Sequence, residues 1–421
     1  MPEHTIAENL QRLIDAKTAI GSAITAKGGT VGANDGLEEF AADIATIPSG
    51  GGGGGSTSNA VNFYDYDGTI VQSYSAADFA NLSELPANPT HEGLTAQGWN
   101  WSLADAKEYV AENKRLDIGQ MYVTDDGKTR LHIRLGEGRL KPYLGLTGNS
   151  NGTTVSIDWG DGSTAESVTL NKSTVYTPHE YSNSGDYTIS ITVTNGSITL
   201  NGDTTSNSNV LRKSSSPNTN NDIIYQNSLI GIEIGNNVSI GQYVFQHCYS
   251  LHSITIPNSV TNISYNVFAR CYSLTSIIIP DSVNSISFDV FQHCYSLTSI
   301  IIPDSVTIID SNAFASCYSL HSITIPNSVT IIDSNAFASC YSLQSITIPD
   351  GVTSIGQFTF QYCYGLGSIK FTSITPPTVS SSNAWTGVPN DCIIYVPTGT
   401  LETYKTASNY PNPSTYTYVE Y

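Results

Sequence analysis

Basic residues are scarce. Of 421 residues only 17 are Lys or Arg, against 36 Asp or Glu, so the formal net charge is −19. Such a chain lacks the clustered cations that neutralise nucleic-acid phosphates or an anionic membrane surface, and neither partner is expected. Charge of either sign is sparse, at 13 % of the chain. Ser, Thr, Asn, Gly and Tyr take its place, which favours strands, turns and an uncharged hydrogen-bonding surface. No stretch approaches the ~18 consecutive apolar residues of a membrane-spanning helix, so no membrane insertion is expected. The opening "MPEHTIAENLQRL" has neither a basic start nor an apolar run before a small-residue cleavage site, and synthesis in a cytoplasm without a secretory signal is expected. The cysteines number seven, so complete pairing within one chain is impossible. No Ser/His/Asp or His/Glu constellation stands out, and no catalytic, cofactor-binding or metal-binding residue is expected.

One stretch does advertise chemistry. "NFYDYDGTIV" (62–71) resembles the first motif of haloacid-dehalogenase-type phosphatases, which implies Asp65 as nucleophile and Asp67 as acid/base. That family also needs a second-strand Ser/Thr, a Lys and a late acidic pair, roles that would fall to Thr124–Gly127 and Lys114. The ~80 residues available are too few for a doubly wound sheet with right-handed crossovers. Asp-Gly also recurs at 67–68, 126–127 and 161–162, each time between extended runs. Asp-Gly is a leading signal for a tight hairpin turn, so hairpins are expected there and no phosphatase.

The chain reads as modular and mainly β. Residues 1–48 form a helical attachment or oligomerisation segment. Ile6, Leu13 and Ile20 recur every seven residues, as do Leu10, Lys17 and Ile24, a short coiled-coil seam with one polar interruption; a short helix packed on a neighbour fits the same spacing. Residues 49–59 are a Gly-rich linker. Residues 60–139 form a small mixed α/β module, with one helix capped by Ser75 and Asp78 and another over 102–113. The wording of 8–47 resembles N-terminal modules of phage tail and fibre proteins, and 60–135 resembles modules of tail proteins from phages of gut bacteria. Residues 140–200 contain "VSIDWGDGST" and "HEYSNSGDYTISITVTN". These resemble PKD-type immunoglobulin-like domains at Trp159–Gly162, His179, Tyr181, Gly185 and Tyr187, which implies a β-sandwich spacer. Residues 201–222 read as a polar connector.

From 223 to 375 the chain repeats every 23 residues. Cys248, Cys271, Cys294, Cys317, Cys340 and Cys363 keep that step, as do Phe245 through Phe360, and "SVTIIDSNAFASCYSL" occurs twice, at 305–320 and 328–343. A fixed period of this length means a solenoid whose like residues stack into ladders. The inward set is Leu251, Ile254, Ile256, Val260, Ile263, Phe268 and Cys271. The pattern resembles BspA-type leucine-rich repeats, and 393–410 resembles the strand-plus-helix that closes such arrays, so 376–421 is expected to be a C-terminal cap. About seven coils at ~4.8 Å make a rod roughly 35 Å long. One Cys per coil gives a line rather than a zinc tetrahedron, and in-register thiols point the same way, so reduced, buried core thiols are expected.

Three outward features remain. Tyr249, Tyr272, Tyr295, Tyr318, Tyr341 and Tyr364 form a stripe. It is read either as a ligand surface, since Tyr joins a rigid ring to a hydroxyl, or as a self-stacking ladder. On the strand, the outward positions His252, Thr275, Thr298, His321 and Gln344, then Thr255, Ile278, Ile301, Thr324 and Thr347, vary while the core does not. In leucine-rich repeats this sheet is the usual recognition face. Asp281, Asp304, Asp350, Asp310 and Asp333 read as turn residues, because Asn258 and Asn327 replace Asp without disturbing the pattern. The resemblances imply a non-enzymatic phage tail fibre or receptor-binding protein. It would be held by its N-terminus to virion tail or baseplate proteins, a homotrimer by fibre analogy, and would touch a host cell-surface protein or glycan through the repeats. The alternative is a bacterial BspA-like surface adhesin, and a third reading is a surface-glycan or phosphate hydrolase.

Overall fold

Ser75 starts the first helix for the reason its sequence suggests. In the computed structural model, which describes residues 61–64, 70–90, 94–99, 103–111, 116–124, 126–200, 210–212, 225 and 227–421, the Ser75 hydroxyl accepts from the Asp78 amide at 3.1 Å and donates to its carboxylate at 2.7 Å. This satisfies an N-terminal amide that the helix leaves open. The chain divides into units 1–58 and 59–421. The expected N-terminal helices and linker, Asp65, Asp67-Gly68 and Lys114 lie outside the described residues.

The small module consists of β1 (Val61–Tyr64), β2 (Ile70–Tyr74), α1 (Ala76–Ala80), β3 (Leu94–Trp99), α2 (Leu103–Ala111) and β4 (Leu116–Thr124). Its sheet order is β2-β1-β4-β3. β1 and β2 are antiparallel, with Val61 opposite Tyr74. Phe63, just before the phosphatase-like motif, is a core residue, 4.8 Å from Trp99 and 6.1 Å from Phe79 between ring centroids.

The Asp126-Gly127 turn is not a hairpin, contrary to expectation. The next strand, β5 (Thr129–Leu135), pairs with neither β4 nor any other strand of the small module. It crosses into a second structure made of β6 (Tyr143–Gly148), β7 (Thr153–Asp158), β8 (Glu166–Leu170), β9 (Val175–Pro178), β10 (Gly185–Asn195), β11 (Ile198–Leu200) and β12 (Leu211–Arg212). The alternating burial of β5 and β7 marks each as one face of a sandwich. β12 is a second correction. Leu211 and Arg212 were expected in a polar connector, yet both are buried and pair with β6.

The "WGDG" stretch is a corner with a physical job. β7 and β8 form the expected hairpin around Asp161-Gly162. Gly160 has φ +74°, and a Cβ there would collide with the Thr188 carbonyl oxygen, so only glycine fits. Trp159 is buried, with His179 stacked on it at 4.6 Å. His179 Nε2 lies 2.8 Å from Asp161, and the buried Tyr181 hydroxyl donates to the Trp159 carbonyl at 2.9 Å. The Ser163 hydroxyl, and after it His179, hold the Asp161 carboxyl down at about 2.

The solenoid grows directly on this sandwich. β13 (Leu229–Glu233) pairs antiparallel with β5 and parallel with β15 (Ser253–Thr255), while β14 (Val238–Ile240) pairs parallel with β11. Both sandwich sheets therefore continue as the first coil, and one apolar core runs from Leu131 to Tyr410. About eight turns follow. Each coil has a strand face, a turn in which the Val260 amide donates to the Pro257 carbonyl at 3.0 Å, and a second parallel face such as Ser285–Ile286 on Ile308–Ile309. Pro257 and its equivalents punctuate the strand because they have no amide to donate. All seven expected inward residues of the first full repeat are at most 3 % exposed.

The third face is made by two left-handed residues per coil. The first position holds Tyr243, Asn266, Asp289, Asn312, Asn335 and Phe358, and the second His247, Arg270, His293, Ser316, Ser339 and Tyr362, all with φ between 56° and 64°. Asn adopts this conformation at lower cost than Phe. Phe358→Asn should therefore raise stability by about 0.5–1 kcal/mol, read as a higher urea midpoint; a lower midpoint would mean that ring packing outweighs backbone strain.

All seven cysteines are free and buried. Each repeat thiol from Cys271 to Cys363 donates to the Phe carbonyl of the preceding coil at 3.1–3.3 Å. Burial pushes the Cys363 and Cys392 thiols up to about 12. Since the thiolate is the nucleophile, a disulfide reagent should modify none of the seven in the native protein and all of them in denaturant. Rapid native labelling of any one would contradict this packing.

At the far end Trp385 extends the Phe ladder, 5.4 Å from Phe360. Strands Ile393–Val396 and Thr417–Glu420 add to the strand face, with helix α3 (Leu401–Thr406) between them. Tyr404 and Tyr410 close the core over Phe371, as the cap-like sequence implies.

Candidate recognition surface

The tyrosine stripe forms in register. Tyr249, Tyr272, Tyr295, Tyr318, Tyr341 and Tyr364 stack with centroids 4.5–5.5 Å apart and planes within 25° of parallel. That spacing leaves no room for a ligand against an interior ring face. What the stripe displays is ring edges and hydroxyls, with wider access only at its end, where Tyr341 and Tyr364 are exposed. The self-stacking reading is thus realised in the geometry, and any recognition by interior members must use their hydroxyls and edges.

The strand face is less uniform than its sequence suggests. His252 and Thr275 are exposed, and Thr298 and Gln344 are half-buried. His321 is only 8 % exposed and Ser322 only 2 %, which corrects the expectation of an open position. A cleft of about 280 Å³ lies over this region, lined by Ile323, Thr324, Ile325, Ser345, Ile346 and Thr347 among others, with Ala104 of α2 across from them. Thr255, also expected outward, is buried. The small module thus stands over part of the strand face.

The acidic positions behave as turn residues. Asp310 and Asp333 accept from the amides of Ser311 and Ser334 at 2.7 and 2.6 Å, a local bond that fixes the bend. Among the described residues no group of three or more His, Cys, Asp or Glu is placed to hold a metal.

A polar line beside the stripe was missed from sequence. His247, Arg270 and His293 occupy the second left-handed position on consecutive coils, joined by His247 N to Ala269 O at 2.9 Å and Arg270 N to Gln292 O at 2.7 Å. His247 Nδ1 lies 2.9 Å from the Tyr249 hydroxyl and His293 Nδ1 3.4 Å from that of Tyr295. Burial, then the Arg270 charge, drives His247 down to about 4 and lowers His293 as well. The available signal was the residue before each Cys, which reads His, Arg, His, Ser, Ser, Tyr while the core stays constant.

Residues 181–297 and 284–384 match the family described as BspA type Leucine rich repeat region, in six copies. Among solved structures the chain is similar to a leucine-rich repeat protein of T. pallidum, at 31 % identity over 33 % of this chain and 65 % of that one, with a TM-score of 0.30. It is also similar to a leucine-rich cell surface protein of Faecalibacterium prausnitzii, at 26 % identity over 39 % of this chain and 58 % of that one, with a TM-score of 0.28. A leucine-rich repeat protein of Bacteroides ovatus shares 22 % identity over 52 % of this chain and 73 % of that one, with a TM-score of 0.30. The chain thus spans less than two thirds of the first two. No curated protein matches it.

Proposed function

We propose, for a chain whose residues 181–297 and 284–384 match the BspA type Leucine rich repeat region, a non-enzymatic role in adhesion: recognition of a cell-surface protein or glycan by the outer surface of the repeats. The observation that carries this reading is the contrast within each coil. The inward ladder is constant and buried, while the positions beside it change from coil to coil on a rigid backbone, as at 247, 270 and 293. Rigid scaffolds with varied surface residues suit binding, because little order has to be imposed on association. The acidic residues are occupied as turn formers, which supports a non-enzymatic reading. The sandwich serves as a spacer of the PKD type, a kinship supported by the Trp159–His179–Asp161–Tyr181 corner.

The family match favours a bacterial surface adhesin over a tail fibre. The virion reading, with attachment through 1–48, rests on the resemblance of 8–47 and 60–135 to tail proteins. Antibodies raised against the full chain decide between them: labelling of intact producing cells supports the adhesin, and labelling of purified phage particles supports the fibre. Recognition itself is tested by incubating the full chain with glycan and cell-surface protein arrays. Saturable binding is expected, and absence of any ligand on both arrays would sink the reading.

A further inference from the structure

We propose that Arg270, flanked by His247 and His293 on the neighbouring coils and by the hydroxyl edges of Tyr249, Tyr272 and Tyr295, binds one carboxylate-bearing sugar unit of an otherwise neutral glycan. The inference deepens the recognition reading and rests on it. Arg270 is half-buried, and among the described residues no carboxylate lies within ion-pair distance of it. Asp289 and Arg270 influence each other only through space. A guanidinium carries five donors in a fixed fork that matches a carboxylate. The Arg270 backbone is fixed at a left-handed position, φ 64°, between two coils bonded in register. His247 and His293 each engage a tyrosine hydroxyl through Nδ1, which leaves Nε2 on each ring for a ligand.

The tyrosines narrow the ligand class. Their faces are taken up by mutual stacking, so no apolar peptide side chain can insert between them. Their edges carry the positive end of the ring quadrupole and favour an anion, and their hydroxyls suit a ligand rich in hydroxyls. The His–Arg–His line, with Arg270 as its cation, ends after three coils, where Ser316 and Ser339 take the position. Three coils at ~4.8 Å per step span about 10 Å, the size of one or two sugar rings. Polyanions are disfavoured by the net charge of −19, whereas a single acidic group is not.

The test uses the full chain and three probes: sodium glucuronate, glucose and inorganic sulfate, followed by calorimetry and by the ring signals of His247 and His293. Glucuronate should bind and raise the titration midpoints of both histidines, because a bound anion offsets the Arg270 charge; glucose should do neither. Arg270→Gln should weaken glucuronate at least tenfold with an unchanged urea midpoint, and Arg270→Lys should fall between. Asp289→Asn should tighten binding. Unchanged affinity in Arg270→Gln overturns the site, as does glucose binding equal to glucuronate, or sulfate binding as tight as glucuronate. If Arg270→Gln still captures the full chain's array ligand with wild-type affinity, this site fails while the recognition reading stands.

Discussion

Phe314→Ala should lower the unfolding free energy by about 3–5 kcal/mol, the usual cost of emptying a buried Phe site. Phe314 is fully buried and stacked at 5.5 Å on both Phe291 and Phe337, so the cavity interrupts the ladder in mid-array. Coils in a solenoid are stabilised chiefly through their neighbours, and two interfaces weaken at once. Tyr318→Ala is the comparison. It removes a half-buried ring of the outer stripe, and its expected cost is nearer ~1–2 kcal/mol, from area burial and lost stacking. Urea unfolding followed by tryptophan fluorescence measures both. If the two costs are equal, the Phe ladder is not the dominant core element.

Asp289→Asn should stabilise the protein at pH 7 by about 0.5–1.5 kcal/mol, since solvent screens this half-buried group, with the gain vanishing below about pH 4. Asp289 sits in the left-handed ladder between Asn266 and Asn312. Burial pushes its carboxyl up to about 6, against the opposing influence of Asn312 and Arg270, with Asp310 adding to the rise. A folded pKa above the unfolded one means that the favourable contribution is complete below about 4 and lost as pH rises through about 6. At neutral pH the ionised group is a burden that Asn does not carry. His247 has the opposite sign: with its folded value near 4, its contribution holds above its ordinary value of 6.5 and is lost as pH falls. In the wild type the two trends oppose each other between pH 6 and 4, and Asp289→Asn should expose the acid sensitivity of His247. A variant whose stability gain is the same at pH 4 and pH 7 would show that the gain is not electrostatic.

What was legible in the sequence follows from how local each cause is. The 23-residue step identified the core ladder because every coil repeats the same burial. Ser75 with Asp78 marked a helix start because a cap needs only four residues. The failures are all non-local. Asp126-Gly127 looked like a hairpin, but the pairing of β5 is decided by β10 and β13, which come ~50 to 100 residues later in the chain and bring the loop-closure cost of distant pairing. Leu211-Arg212 is too short a strand to show a period within a polar run. His321 was placed on an open face because its alternation along the strand does not reveal that it is buried, at 8 % exposure. The His247–Arg270–His293 line is hidden for another reason: a periodic pattern is defined by what the repeats share, and this surface lies where they differ.

The two exact copies of "SVTIIDSNAFASCYSL" take on meaning once the array's ends are considered. One end is templated by the sandwich sheets and the other is sealed by Trp385, Tyr404 and Tyr410. Neither end requires a particular number of coils between them. Whole units can be gained or lost by recombination between near-identical copies, each changing the array by one step of ~4.8 Å without opening an edge. The length of the array is therefore adjustable in fixed increments, while the surface residues of each remaining coil are carried along intact.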